Sequence, residues 1–323
     1  MTTIASPDST DTTTPAARQR SCPLCGRSST DSRLVIASTD GAVRRCRACD
    51  MMFLESAQAE TEFEHTPDYI GNFLTNHQRM LDEKLPAAHR CLDQLPADTQ
   101  SVLEIGLGVG ALAAAARERG LSYHAVEPSG ALVDAVIQKG IVTAGQVHQS
   151  PIEDVNLTGR NYDAVVMIMV LEHLIDPVRA LQQCLRALRP GGVLYLEVPN
   201  SRLFASRTRL RRVLSMSDFV EGHVNFFVPD TLTRACRQAG AADVQTQLVS
   251  LFRRDDVVHT ARLNPAAATP LRLLNAFFSR LPVDEWLGIA SVLCCMARRG
   301  EDDVTDAPPV TEAGRHATVG DLG

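Results

Sequence analysis

The 323-residue chain predicts an α/β fold, a Rossmann-like, mostly parallel sheet preceded by a small cysteine-rich unit. Three observations predict it. From residue 101 onward short apolar runs alternate with helix-period segments, as strands covered by helices on both faces do. The glycine-rich stretch VLEIGLGVG (102–110) follows the first apolar run and opens a helix. Between residues 22 and 49 four cysteines fall in two Cys-x2-Cys pairs.

The elements follow in order. Residues 1–20 are rich in Thr, Ser, Ala and Pro and too poor in apolar groups to offset the entropy of ordering, so a disordered tail is expected there and again at 301–323. Residues 21–55 form the cysteine-rich unit, where LVIAS and MMFL suggest two small hairpins. A helical linker spans 56–98, with Phe73, Leu74, Met80, Leu81, Leu85 and Leu92 at the spacing of a connecting helix pair. The main domain covers 99–300. Its strands are expected at 101–107, 123–128, 141–145, 162–170 and 192–200, with 244–251 and 291–299 closing the sheet. Helices fit 110–119, 129–139, 176–189 and 229–239, the third stopped by Arg189-Pro190-Gly191-Gly192.

Two segments, 201–222 and 252–290, read as lids or insertions. The first holds five arginines between 201 and 216, on a helix whose apolar positions are Leu203, Leu210, Val213 and Leu214. A solvated helix is the plain reading. The sharper one is a basic lid over an anionic or carrier-bound substrate, which charge reversal of Arg209, Arg211 and Arg212 tests through KM. The Leu, Phe and Trp residues of 252–290 pack into the core, cover the pocket or pair two subunits as a homodimer.

Composition narrows the classes. A net charge of −6 and a pI near 5.9 argue against a general nucleic-acid binder. No apolar run approaches the roughly 18 residues of a membrane helix, and a polar tract stands where a signal peptide has its apolar centre. A cytoplasmic location is the default expectation. Nine cysteines in a reducing compartment point to metal where their spacing is structured. Cys22-x2-Cys25, twenty residues and Cys46-x2-Cys49 give the spacing of a four-thiolate zinc ribbon. With all four positions thiolate the zinc is structural, and a unit with almost no core takes its folding energy from the metal. Cys91, Cys184, Cys236, Cys294 and Cys295 are assigned to packing.

The glycine loop by itself is ambiguous. Gly106, Gly108 and Ala111 fit the dinucleotide pattern G-x-G-x-x-G/A, while Glu104, Gly106, Gly108 and Gly110 fit E-x-G-x-G-x-G. Glu127 stands about twenty residues on, where an acid accepts ribose hydroxyls in enzymes of either NAD or S-adenosylmethionine (SAM). The text downstream separates the two. Residues 162–200, with Tyr162-Asp163, then Leu171-Glu172-His173, then Leu188 to Gly192 as Leu-Arg-Pro-Gly-Gly, resemble the class I SAM-dependent methyltransferases. The resemblance covers about 100–250 and resumes at 291–299.

That resemblance implies a seven-stranded sheet with an antiparallel last strand, and methyl transfer from SAM to an oxygen, carbon or nitrogen of a small molecule. It places Glu104, Gly106, Gly108 and Gly110 at the methionine end of SAM, Glu127 on the ribose hydroxyls, Ile152 and Glu153 along the adenine, and Met169 beside the cofactor at the end of the fourth strand. The ribbon is similar to the zinc-binding domain of bacterial C-methyltransferases acting on deoxysugars, which implies specialised metabolism. Those enzymes carry a long further domain where this chain has about fifty residues.

Zinc ribbons also precede ribosomal RNA methyltransferases. Here Arg27, Arg33, Arg44, Arg45 and Arg47 face Asp31, Asp40 and Asp50, and Phe53 is the one aromatic residue close by, so RNA ranks second. A non-catalytic binding module ranks third, since Glu104, the glycines and Glu127 are intact. For a base, His173 and His223 are the candidates, His223 lying in EGHVNFFVPDTL, which resembles the family's Gly-His-x-x-x-Phe segment. Glu172 and Glu221 are lesser ones.

Overall fold

Strand and helix periods translate directly into a layered sheet. A computed structural model describes residues 20–38, 41–56, 67–213, 222–249 and 292–301. Residues 1–19 and 302–323 of the expected tails, the 252–290 arm and 214–221 of the lid, Glu221 included, lie outside the described residues, whereas Arg20, expected in the tail, is bonded to Glu55 O and belongs to the folded unit.

The cysteine-rich unit contributes β1 (Ser32–Ser38), β2 (Gly41–Cys46) and β3 (Met52–Leu54). A long helix α1 (Pro67–Gln94) follows, then β4 (Ser101–Ile105), α2 (Ala111–Glu118), β5 (Ser122–Val126), α3 (Gly130–Gln138), β6 (Val147–His148), β7 (Tyr162–Ile168), α4 (Pro177–Ala187) and β8 (Leu188–Pro199). The remainder is α5 (Phe204–Val213), β9 (Asn225–Phe226), α6 (Pro229–Gln238), β10 (Asp243–Val249) and β11 (Val292–Arg298). The main sheet has seven strands in the order β6-β5-β4-β7-β8-β11-β10. β4 to β8 pair in parallel, and β11 runs antiparallel to both β8 and β10.

Side chains alternate between the two faces of the sheet. Leu103, Ile105, Val165 and Met167 pack with α4 and α6 on one face, whereas Val102, Ala164 and Val166 pack with α1, α2 and α3 on the other. The strand order reverses between β5 and β7 on either side of β4, and the crevice at their carboxyl ends is where open α/β sheets hold ligands. At the opposite edge Asp163 accepts hydrogen bonds from Ser101 N and Oγ at 2.8 Å each and from Arg189 Nε at 2.6 Å. Burial opposes its ionisation, but the Arg189 and Ser101 contacts outweigh burial and hold its pKa at about 2. The Tyr-Asp pair at the start of β7 is therefore a clasp between strands.

Four expectations change. The linker is one helix, with Pro86 inside it, rather than a pair. A single missing donor is outweighed by a continuous apolar stripe in which Phe73, Ala88, Cys91 and Leu92 are buried against the α2 side of the sheet. Leu74 falls off that stripe and is exposed. The third strand is at Val147–His148 and not 141–145, because Thr143 and Gln146 close a capping box around the 3-10 turn Ala144–Gln146. Leu188 to Gly192 is not a helix end alone: β8 already begins at Leu188, with Gly191 in the left-handed region at φ 71°.

The fourth change concerns the cysteine-rich unit, which was expected to have two hairpins and little core. Its strands join β9 from the main domain in a four-stranded sheet of order β1-β2-β3-β9. Cys22, Leu24, Met51 and Phe53 share one hydrophobic cluster with Leu174, Val178 and Leu181. The unit is built into the main domain.

Candidate active site

The glycine turn sits at the crevice. After β4, Gly106, Gly108 and Gly110 adopt φ of 85°, 49° and 77°, and α2 begins at Ala111. The three glycines serve different ends. A Cβ on Gly106 would stand 2.6 Å from Val170 Cγ2, and one on Gly110 would stand 2.9 Å from Val136 Cγ1. A Cβ on Gly108 would meet nothing within 4 Å. Gly106 and Gly110 thus let the turn pack against the end of β7 and against α3, while Gly108 borders open space at the rim. Gly110 is left-handed at the N-cap of α2, a position the dinucleotide pattern leaves free, so the pattern Glu104, Gly106, Gly108, Gly110 describes the turn better.

Two carboxylates flank the turn. Glu127, just past β5, accepts from Leu107 N at 3.0 Å and from Ser129 N at 2.9 Å, tying the turn to the neighbouring strand. Glu104 is buried and accepts a hydrogen bond from the Tyr123 hydroxyl. Burial pushes its pKa up to about 8; the Tyr123 contact opposes this and nearby Glu127 adds to it. Glu104 is therefore largely neutral at pH 7 until a cation comes beside it. His77 of α1 is a site residue that the sequence reading missed. Its Nε2 donates to Val109 O at 3.0 Å, propping the turn from beneath, and its ring meets Phe73 edge-on at 5.2 Å. The signal was its place four residues after Phe73 and four before Leu81, on the apolar stripe.

Met169 follows β7 with φ of 54°, and its N–H donates to Glu197 O at 2.8 Å. A non-glycine residue held left-handed is a local strain of the kind that gathers at sites. Ile152 is buried in one cluster with Ile105, Val126 and Leu171, and so lies by the strand ends. The carboxyl of Glu153 is raised by burial, and its backbone carbonyl accepts from Arg179 Nη2 at 3.2 Å.

The structure brings the two candidate bases together. The rings of His173 and His223 lie 4.8 Å apart at 85°. His173 Nδ1 donates to Gly222 O at 2.9 Å, which leaves its Nε2 as the acceptor nitrogen of the neutral ring. Burial, with His173 adding to it, lowers the His223 pKa to about 4, so His223 is neutral at pH 7. Buried Glu172 completes a group whose ligand atoms with the two imidazoles lie within 4.8 Å of one another. Main chain knits this platform: Val224 N and Asn225 N both donate to Glu172 O at 2.9 Å, and Asn225 Nδ2 donates to Leu171 O at 3.3 Å and Leu174 O at 2.6 Å. It adjoins the glycine turn, since His173 N donates to the carbonyl of Val170, the residue against Gly106.

The four cysteines of the N-terminal unit also meet. Their sulfurs lie within 4.8 Å of one another, with Cys22 to Cys49 and Cys25 to Cys46 both at 3.5 Å. A tetrahedral ion with bonds of about 2.3 Å sets its sulfurs about 3.8 Å apart, so the set fits zinc. The two knuckles repeat one geometry: Gly26 and Asp50, each following the second cysteine of its pair, have φ of 71° and 60°. Burial pushes the Cys22 thiol up to about 11 and raises Cys49 as well. At Cys46 burial is outweighed by the amides of Ala48 and Cys49, and its pKa falls.

Known proteins resemble parts of this chain. An uncharacterized methyltransferase of Mycobacterium tuberculosis is 35% identical over 105 residues, 32% of this chain and 41% of its own length. The ubiquinone biosynthesis O-methyltransferase of Haemophilus ducreyi is 29% identical over 113 residues, 33% of this chain and 48% of its own. The chain thus spans less than half the length of either relative. Among solved structures, phosphoethanolamine N-methyltransferase 2 of Haemonchus contortus, in complex with S-adenosyl-L-methionine, has the same fold at a TM-score of 0.51 and 15% identity, over 77% of this chain and 62% of that one. The profile of the methyltransferase-domain family matches residues 73–246, more than half of the chain, and the chain therefore belongs to that family.

Proposed function

We propose that the chain binds SAM in the turn Gly106–Gly110 and transfers its methyl group to a small-molecule acceptor lying against His173 and His223. The observation that carries this is the turn itself: three left-handed glycines at the crevice, one of them bordering open space, with a buried carboxylate on either side. Family membership and the methyltransferases it resembles support it.

Bound SAM supplies a methyl group on a sulfonium. The residues of the chain do the rest. Glu104 would hold the methionine ammonium, ionising beside that charge to make a charge-assisted hydrogen bond. Glu127 keeps lone pairs for the ribose hydroxyls beyond the amides it already accepts from. His173 or His223 would orient the acceptor and take the proton that its oxygen or nitrogen gives up. With its pKa near 4, His223 is a weak base, suited to positioning or to accepting a proton only as the transition state makes the acceptor acidic. Cys22, Cys25, Cys46 and Cys49 would hold a structural zinc, which four sulfur ligands would close to water.

A small-molecule acceptor is preferred to RNA because the chain is acidic overall and Phe53, the aromatic residue of the ribbon, is fully buried and has no face for a base. The proposed setting is bacterial specialised metabolism, and the arginine-rich run of the sequence at 202–212 supports an acceptor class that includes anionic or carrier-bound molecules. Methyl-labelled SAM offered with small-molecule and RNA fractions tests this reading. Label is expected in the small-molecule fraction. Label in RNA would reverse the acceptor, and tight SAM binding with no transfer would favour a binding module.

A further inference from the structure

The cysteine unit reaches the histidine platform through a chain of specific contacts. Its third strand pairs antiparallel with β9, Met52 opposite Phe226 and Phe53 opposite Asn225, and Leu54 N donates to Val224 O at 3.0 Å. Arg20 has its own backbone fastened to that strand, its N–H donating to Glu55 O at 2.7 Å. From there the guanidinium reaches across. Nη1 donates to Val224 O at 2.9 Å, and Nη2 donates to Asn225 Oδ1 at 2.9 Å and Ile175 O at 2.5 Å. One planar fork thus grips both segments of the platform, 171–175 and 222–226.

We infer that the cysteine unit is a positioning module for the histidine pair, with Arg20 as its specific contact: it fixes the 222–226 segment against the 171–175 segment and so sets where His223 and His173 stand. This rests on the preceding reading for what the histidines do, and on the geometry alone for what holds them. Three features favour positioning over substrate recognition. The unit buries its apolar residues Met51, Phe53 and Leu24 against the main domain. Its third strand begins three residues after Cys49, so the metal knuckle fixes the strand that carries β9. The rigid five-donor fork of arginine satisfies three acceptors from two segments, where a lysine ammonium has one point of attachment. Removing Arg20 takes the donor from Asn225 Oδ1 and Ile175 O, while Val224 O keeps the Leu54 amide.

The test uses the full zinc-loaded chain labelled with 15N-histidine, in wild type, Arg20→Ala and Arg20→Lys. Zinc content and SAM affinity by calorimetry are measured on each. Arg20→Ala is expected to keep one zinc and, within two-fold, the wild-type SAM affinity, yet to lose protection of the His173 Nδ1 proton by about ten-fold or more, with displaced His223 ring signals. Arg20→Lys restores part of both signals. Should Arg20→Ala fail to fold, Arg20→Lys and zinc withdrawal from the wild type carry the test, with the same histidine signals moving while SAM still binds. Histidine signals that overlay those of the wild type in every case overturn the inference. Histidine signals that move only in step with SAM affinity overturn it too, since that marks general loosening. A wild type that binds no SAM defeats the proposed function and leaves the histidine readout to decide this inference separately.

Discussion

The glycine cradle and the histidine platform adjoin at Gly106 and Val170 but are built in opposite ways. The cradle is local: Glu104, the three glycines and Glu127 lie within one β–α–β unit, and most of its geometry is backbone. The platform is assembled from afar. Arg20, Leu54, Glu172, His173 and Asn225 come from three stretches spread over about two hundred residues, and the hydrogen bonds among them close it. A local site is stable to changes elsewhere and sensitive at single positions. An assembled site is expected to fail when any one of its suppliers is loosened.

Substitutions in the cradle sharpen that contrast most. Gly106→Val sets a branched side chain at φ 85° and within 2.6 Å of Val170 Cγ2, and is expected to lose SAM binding and about 2–4 kcal/mol of stability, read by calorimetry and denaturant unfolding. Gly108→Ala faces open space at φ 49°; it is expected to cost about 1 kcal/mol or less of stability while still weakening SAM binding at least several-fold. Equal effects at the two positions would break the distinction between packing glycine and rim glycine.

Removing metal is next in size. Cys46→Ser, or chelation, is expected to free the zinc and lower the melting temperature, with the loss concentrated in exchange protection of β3 and β9 rather than of β4 and β5. Uniform loss across both sheets would mean that the shared hydrophobic cluster, and not β9, is the main connection. Glu104→Gln is expected to weaken SAM binding about ten- to a hundred-fold, the worth of a charge-assisted hydrogen bond.

The smallest effect separates the two sites by pH. His223 has a folded pKa near 4 against about 6.5 unfolded, so the unfolded chain binds the extra proton between those values. Its contribution is present above pH 6.5 and is lost as pH falls toward 4. Glu104 has the opposite sense, with a folded pKa near 8: its contribution is present at low pH and is lost as pH rises from about 4.5 through 8. His223→Gln is expected to flatten the acid limb of the melting profile, and Glu104→Gln the alkaline one. A single limb responding to both variants would contradict the assignments.

The same contrast explains what was legible in the sequence. The glycine turn and the cysteine quartet follow from spacing within short windows, the antiparallel closing strand followed from the family resemblance, and the Leu-Glu-His triplet and Gly-His segment were readable as separate motifs. That they meet at 4.8 Å was not readable, because contact between residues 173 and 223 depends on tertiary assembly. Arg20 stood at the end of a segment read as tail, and Asn225 lay two residues after His223 in a segment where only the histidine was singled out. The third strand was misplaced because Ile141 and Val142 are apolar for packing after α3, while Thr143 and Gln146 turn the chain. His77 carried a signal of position on a stripe, which a search for motifs passes over.

The central claim is that the turn Gly106–Gly110 holds SAM with Glu104 on its ammonium. Calorimetric titration of the full chain with SAM and with NAD, at pH 7 in buffers of different ionisation enthalpy, tests it most directly. Binding of SAM at one per chain is expected, with release of close to one proton as Glu104 ionises, no release in Glu104→Gln, and no binding of NAD. Binding of NAD without SAM, or SAM binding with the same proton count in wild type and Glu104→Gln, would contradict it.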